Sequence, residues 1–166
     1  MTYAETLLPE FDQEMASTRK VLERIPDAKL DWKAHPKSHT IGWNANHVAD
    51  IPSWIVMVLT RPSFDIAPVG GPAHSTPKLT GGREVVEMFD RNVAAAREAI
   101  AGVRDEEMGD TWALLQGGEP IFSLPRAAMM RSFVLNHIIH HRAILCAYLR
   151  LNDIPVPGMY GPSGDE

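Results

Sequence analysis

Residues 131–150, RSFVLNHIIHHRAILCAYLR, combine the composition of a buried helix with three histidines. The stretch is rich in aliphatic residues and contains neither Gly nor Pro, which favours a long core helix. Its apolar face has spacings of 4, 3, 4, 3 and 4 residues, and consists of Met130, Val134, His137, His141, Ile144 and Tyr148. Such spacing is typical of a helix packed in a core. His137 and His141 therefore lie one turn apart on the predicted buried face, whereas His140 lies about 100° from His141.

Two histidines on one buried face are more often hydrogen-bonded core residues than metal ligands, so a third ligand is needed to favour a metal. A second apolar stripe supplies one, and consists of Trp43, His47, Ile51, Trp54 and Val58. Burial opposes protonation of imidazole, and each ring leaves a nitrogen that needs a partner. A divalent cation satisfies several neutral imidazoles at once. The histidines His35, His39 and His74 fall in polar, Pro-rich loops and are predicted to be solvated.

Helical periodicity predicts four helices, over 2–24, 41–60, 83–103 and 125–151. Pro52 predicts a kink one turn after His47, because proline cannot donate to the carbonyl of Val48. Long loops rich in Pro, Gly and Ser separate the helices at 25–40 and 61–82. Residues 110–124 contain two short apolar runs around a Gly pair, which indicates a small hairpin, and the C-terminal tail is predicted to be extended. The sequence therefore predicts an all-α four-helix bundle as a single domain over residues 1–166.

Composition excludes several classes of protein. The chain has 166 residues, 22% of them charged, and a formal net charge of −5 without any basic run, which argues against a nucleic-acid partner. The longest apolar stretch is much shorter than the roughly 20 residues that span a bilayer, and no signal peptide is visible. We therefore expect a cytoplasmic protein without membrane association. The single cysteine, Cys146, excludes an intrachain disulfide.

Two segments carry a resemblance to a known family. IGWNANHVADIPSW, residues 41–54, and NHIIHHRAILCAYLR, residues 136–150, resemble the signature segments of the DinB-like superfamily, which includes the YfiT-type proteins. The tail LNDIPVPGMYGPSGDE, residues 151–166, is similar to the extended tail of one branch. The resemblance implies an up-down-down-up four-helix bundle that often pairs as a homodimer. It also implies a divalent metal held by His47, His137 and His141.

Three imidazoles leave a coordination sphere incomplete, whereas a structural zinc site normally has four ligands, usually including cysteine. A metal with an open position can polarise a bound group or lower the pKa of its water. Zinc is the expected metal, with nickel or iron as alternatives. Characterised members of the superfamily include transferases and isomerases in which the metal activates a low-molecular-weight thiol. The resemblance therefore implies a thiol-dependent enzyme acting on a small-molecule substrate.

Two other functions remain open at this point: a metal-dependent hydrolase that uses metal-bound water, and a non-catalytic metal-binding stress-response protein. In an enzyme, Asp50 or His140 would orient a ligand or act as a base. Trp43, Trp54 and loop residues 62–80 are expected to line the pocket.

Overall fold

In the computed structural model, which describes residues 1–166, six α-helices and a three-stranded sheet follow one another along the chain. The helices are α1 (Tyr3–Leu22), α2 (Ile41–Asp50), α3 (Pro52–Thr60), α4 (Gly82–Ala101), α5 (Arg126–Met129) and α6 (Asn136–Leu151). The strands are β1 (Ser63–Asp65), β2 (Thr111–Gln116) and β3 (Glu119–Pro125). Short 3₁₀ helices lie at Asp27–Lys29 and Asp105–Gly109, and a π-helical stretch, Met130–Leu135, joins α5 to α6. The α-helices form four rods: α1, α2 with α3, α4, and α5 with α6.

The four predicted helical segments are confirmed as these four rods. The apolar face of α1 is buried throughout, and consists of Leu7, Phe11, Met15, Thr18 and Leu22. On α4, Phe89 and Ile100 are buried, while Val86 and Val93 are half-buried. The buried apolar residues form one core cluster. None of the helices combines the length and the apolar character that crossing a membrane requires.

The kink predicted at Pro52 is a break between two helices. Ile51 still donates its N–H to the His47 carbonyl at 3.0 Å, and Pro52 then begins α3. Proline suits the first position of a helix, where its missing N–H costs no hydrogen bond. The break therefore ends α2 one turn after His47, although Ile51 keeps helical dihedral angles, with φ of −51° and ψ of −37°.

The prediction of an all-α fold was incomplete, because the chain also contains a small sheet. The hairpin predicted within 110–124 is confirmed as β2 and β3, joined by a turn in which Gly117 and Gly118 adopt φ of 62° and 86°. Only glycine adopts such angles at low cost. The third strand, β1, lies in the segment predicted as a loop and pairs parallel with β2, with Ser63 opposite Ala113. The Asp65 carboxylate accepts hydrogen bonds from both turn glycines, which holds β1 against the hairpin.

The π-helical stretch before α6 changes which face of the last rod enters the core. A π-turn holds one residue more than an α-turn, so the helix beyond it is rotated by about 100° relative to an unbroken α-helix. Ile138, Leu145 and Leu149 are fully buried on α6. His137, by contrast, is only half-buried. The predicted seam through His137 and Ile144 was therefore displaced by one residue, and the histidines lie at the margin of the core.

A buried ion pair joins α6 to α1 and to the C-terminal tail. The Arg142 guanidinium lies 2.7 Å from a carboxylate oxygen of Glu14, and the two side chains are only 3% and 8% exposed. Arg142 also donates to the Glu14 carbonyl and to the Thr18 hydroxyl. The Tyr160 hydroxyl donates to Glu14 and accepts from Arg142, both at 2.9 Å. Sequence analysis did not identify this pair, because one arginine on an apolar helix gives no indication of its partner.

We expect Arg142→Met to lower the free energy of unfolding by about 3–5 kcal/mol, because it leaves the Glu14 carboxylate buried without its cation. The double variant Glu14→Met/Arg142→Met should recover most of that loss, since neither charge is then buried. Arg97 provides the control, because its pair with Asp12 also joins a helix to α1 but is about half exposed. Arg97→Met should cost less than about 1 kcal/mol. Urea unfolding followed by circular dichroism measures all three, and equal losses for Arg142→Met and Arg97→Met would contradict the assignment.

Candidate metal centre

The structure brings the three predicted ligands together where α2 and α6 pack against each other. One potential ligand atom from each of His47, His137 and His141 lies within 4.8 Å of the other two. The Nε2 atoms of His47 and His137 are 3.2 Å apart. The centroids of the His141 ring and of the other two rings are separated by 4.7 and 4.9 Å. No fourth His, Cys, Asp or Glu belongs to this cluster.

The separation of the nitrogens fits a shared divalent cation. Two imidazole nitrogens bound to a tetrahedral zinc at about 2.0–2.1 Å lie about 3.3 Å from each other. The 3.2 Å between Nε2 of His47 and Nε2 of His137 matches that value. Without a cation, the same distance requires a proton on one of the two nitrogens, since two lone pairs do not attract each other. The cluster is therefore compatible with a metal site.

Asn44 fixes the tautomer of His141. Nδ1 of His141 lies 2.9 Å from Oδ1 of Asn44, a residue one turn before His47 on α2. The Asn44 amide nitrogen donates to the Thr40 carbonyl at 2.8 Å, which determines the orientation of the amide. Nδ1 of His141 must then carry the proton and donate it to Asn44, which leaves the Nε2 lone pair free for the cluster.

The ring of His47 has an outer partner as well. Its Nδ1 lies 3.1 Å from the Thr76 hydroxyl, which comes from the long segment between β1 and α4. With Nδ1 bound to Thr76, Nε2 is the nitrogen that faces His137. A second hydrogen bond that orients the ring is the usual arrangement for a histidine that binds a metal.

Burial keeps the cluster neutral. Desolvation lowers the pKa of His47 to about 3, and the neighbouring imidazoles of His141 and His137 add to the effect. The same causes lower the pKa of His141 to about 4, and burial also lowers the pKa of His137. Neutral imidazole is the form that binds a metal, so the rings are in the required protonation state at neutral pH.

Asp50 and His140 lie beside the cluster without belonging to it. Asp50 is buried, accepts a hydrogen bond from the Trp54 indole at 3.2 Å, and lies 3.5 Å from Nε2 of His74. His140 is exposed and meets His141 edge to face, with ring centroids 4.9 Å apart. Whether either residue orients a ligand or transfers a proton stays a prediction.

Aromatic rings surround the cluster. Trp43 stacks on His47 with centroids 4.6 Å apart, and Trp54 meets the rings of His47 and His137 edge to face at 5.5 and 5.4 Å. A cavity of about 680 Å³ adjoins this region and is lined by Trp43, Thr76 and residues on either side of Thr76. Of the expected pocket residues, Trp43 and residues 75–80 line this cavity, whereas Trp54 and the three histidines do not.

All three loop histidines are exposed, as predicted, although two of them also contact residues near the cluster. His39 stacks on Trp43 with centroids 3.6 Å apart, and His74 meets the Asp50 carboxylate. The outer partners Asn44 and Thr76 were missed. Asn44 could have been suspected from its place three residues before His47, but no periodic pattern distinguishes Thr76 within its loop.

The sequence profile of the DinB superfamily matches residues 10–145, which contain all three clustered histidines. The chain therefore belongs to the DinB superfamily. The chain is similar in fold to a DinB-like protein from Bacillus cereus, with a TM-score of 0.71, 23% identity, and coverage of 94% of this chain and 97% of that one. A DinB-like protein from Bacillus subtilis gives a TM-score of 0.65, 13% identity, and coverage of 90% and 95% respectively. No curated protein sequence matches the chain.

We expect His141→Ala to abolish stoichiometric zinc binding and His140→Ala to leave it intact. His141 contributes a nitrogen to the cluster, whereas the neighbouring His140 is exposed and outside it. Elemental analysis of protein purified without a histidine tag and dialysed against zinc measures metal per chain. Equal loss in the two variants would show that the wrong member of the pair has been assigned.

Metal-free protein should lose thermal stability as the pH falls below about 6.5, the pKa of histidine in an unfolded chain. The folded-state pKa values of His47 and His141 are depressed, so the unfolded chain binds more protons than the folded one in the window below 6.5. The stability contributed by these rings is complete above that window and is lost progressively toward pH 4 and 3. Melting in the presence of a chelator, followed by circular dichroism, measures the trend. The double variant His47→Gln/His141→Gln should show a weaker pH dependence; an equal one would contradict the assignment.

Proposed function

We propose that the chain is a divalent-metal-dependent enzyme of the DinB superfamily that activates a small-molecule thiol, in a transferase or isomerase reaction. The observation that carries this proposal is a cluster of three convergent histidines without a fourth protein ligand. Structural zinc sites normally use four ligands, whereas catalytic sites keep one position open for water or substrate. The open position supports a catalytic metal over a structural one.

His47, His137 and His141 would hold the metal through their Nε2 atoms. On the other side of the ring, Nδ1 of His47 already contacts Thr76, and Nδ1 of His141 already contacts Asn44. Bound there, a divalent cation would lower the pKa of a thiol or water ligand and so supply a nucleophile at neutral pH. Zinc is the proposed metal, and nickel and iron are alternatives because imidazole suits all three.

No cysteine of the chain belongs to the histidine cluster. The chain's only cysteine, Cys146, is half-buried and packs against the hydrophobic core. Burial raises the pKa of the Cys146 thiol, which disfavours the reactive thiolate. Thiolate chemistry at the histidine cluster would therefore use an external thiol.

A cavity next to the cluster has the volume of a small-molecule site. It measures about 680 Å³ and is lined by Trp43 and Thr76, both of which contact His47, but not by the three histidines themselves. Pockets for small ligands usually measure about 300–1,000 Å³. Trp43 and Trp54 shield two sides of the cluster from water. For proton transfer, the candidates are the buried carboxylate of Asp50, which is paired with His74, and the exposed ring of His140.

Cobalt-substituted protein tests the proposal directly. We expect cysteine or glutathione to produce a sulfur-to-cobalt charge-transfer band in the near ultraviolet, and the S-methylated analogues to produce none. His137→Ala should remove the band together with the metal. Turnover of an electrophile in the presence of the effective thiol would then identify the reaction.

Two results would contradict the thiol-dependent function. Thiol-independent cleavage of ester or amide substrates without the charge-transfer band would favour a hydrolase. Metal binding with neither the band nor any turnover would favour a non-catalytic metal-binding protein.

A further inference from the structure

Residues 74–79, here called the strap, run along α2 in the antiparallel direction. Three contacts hold the strap on α2. These contacts join Leu79 to Asn46, Thr76 to His47, and His74 to Asp50. The first contact is a pair of hydrogen bonds at 3.0 Å, in which the Asn46 amide both donates to and accepts from the Leu79 backbone. Asn46 is almost fully buried, so this end of the strap is firmly anchored.

The middle contact reaches the histidine cluster. Without a cation, the 3.2 Å contact between Nε2 of His47 and Nε2 of His137 needs a proton on one of these nitrogens. With a cation, both nitrogens must present lone pairs, so a proton on Nε2 of His47 would have to leave and Nδ1 would have to carry one. The partner of Nδ1 must then serve as an acceptor.

A hydroxyl group can serve both states. The Thr76 Oγ1 atom lies 3.1 Å from Nδ1 of His47, and it can donate to a bare nitrogen or accept from a protonated one by rotation of its O–H bond. Neither state then leaves a ring nitrogen without a partner. An aliphatic side chain of the same shape could satisfy neither state.

We infer that Thr76 is a positioning residue for the metal ligand His47, and that metal binding and docking of the strap on α2 stabilise each other. The inference rests on the proposed binding of a metal by the histidine cluster. A cation on Nε2 makes the Nδ1–H of His47 a stronger donor to Thr76, and an acceptor at Nδ1 makes the ring a better ligand. Coupling between two equilibria is reciprocal, so the strap contributes to metal affinity as much as the metal contributes to strap docking.

Three substitutions in the strap test the inference with zinc alone as the probe. Thr76→Val keeps the shape and removes the hydroxyl, Thr76→Ser keeps the hydroxyl, and Ser75→Val adds the same side chain at the exposed neighbouring position. Competition with a chromogenic chelator measures the affinity for zinc. We expect Thr76→Val to weaken binding by about 10–100-fold, the usual cost of losing an outer partner. Thr76→Ser and Ser75→Val should bind zinc as the parent protein does.

Two further measurements distinguish positioning from a general effect on structure. Correlation spectra of the imidazole nitrogens should show the proton of His47 on Nδ1 in zinc-loaded parent protein. Hydrogen exchange at the backbone amides of the strap should slow when zinc is added to the parent protein, and this measurement needs no variant.

The inference is overturned if Thr76→Val binds zinc as tightly as the parent, or if Ser75→Val loses as much affinity. It is also overturned if zinc leaves the exchange of the strap unchanged, or if zinc-loaded His47 carries its proton on Nε2. Failure of the parent protein to bind zinc at all would instead overturn the proposed function and the inference with it.

Discussion

Burial of three imidazole rings between α2 and α6 is the constraint on which the surrounding structure depends. A buried polar group without a partner costs about 1–3 kcal/mol, and three histidines bring six ring nitrogens to one place. Asn44 and Thr76 each pair with one of these nitrogens, and Thr40 holds the Asn44 amide in the orientation that pairing requires. Thr40, which precedes α2, and Thr76, which precedes α4, therefore help to satisfy the hydrogen bonds of this cluster.

The two sides of the histidine cluster differ in chemistry. Toward the start of α2, His47 is covered by Trp43, and Trp43 is itself covered by His39. Toward the end of α2, the buried carboxylate of Asp50 lies between an indole N–H and an imidazole. The cluster therefore has a flat aromatic surface on one side and a buried hydrogen-bond acceptor on the other.

Periodicity and local chemistry could be predicted from sequence, but pairings between distant segments could not. The stripes through His47 and His141, with the resemblance to the DinB-like superfamily, predicted which rings would meet. The contact between Asn44 and His141 joins residues 97 positions apart, and nothing in either local sequence specifies it. The same holds for β1, a short strand that becomes one only by pairing with β2. The π-helical stretch was missed because Met130–Leu135 has ordinary helix-forming residues. Tertiary packing, and not the local sequence, determines that the helix holds one additional residue there.

Arg142 directly follows His141 on α6, and its guanidinium is buried against Glu14 of α1, whereas the histidine cluster lies between α6 and α2. Apolar contacts between helices are less specific than charged ones, because aliphatic side chains of similar volume can replace one another in a core. A charged group tolerates no such exchange, since a slipped α6 would leave the guanidinium buried without its carboxylate. The ion pair therefore fixes the alignment of α6 relative to α1. The position of His141 is therefore tied to a contact between α6 and α1, a different pair of helices from the one that holds the cluster.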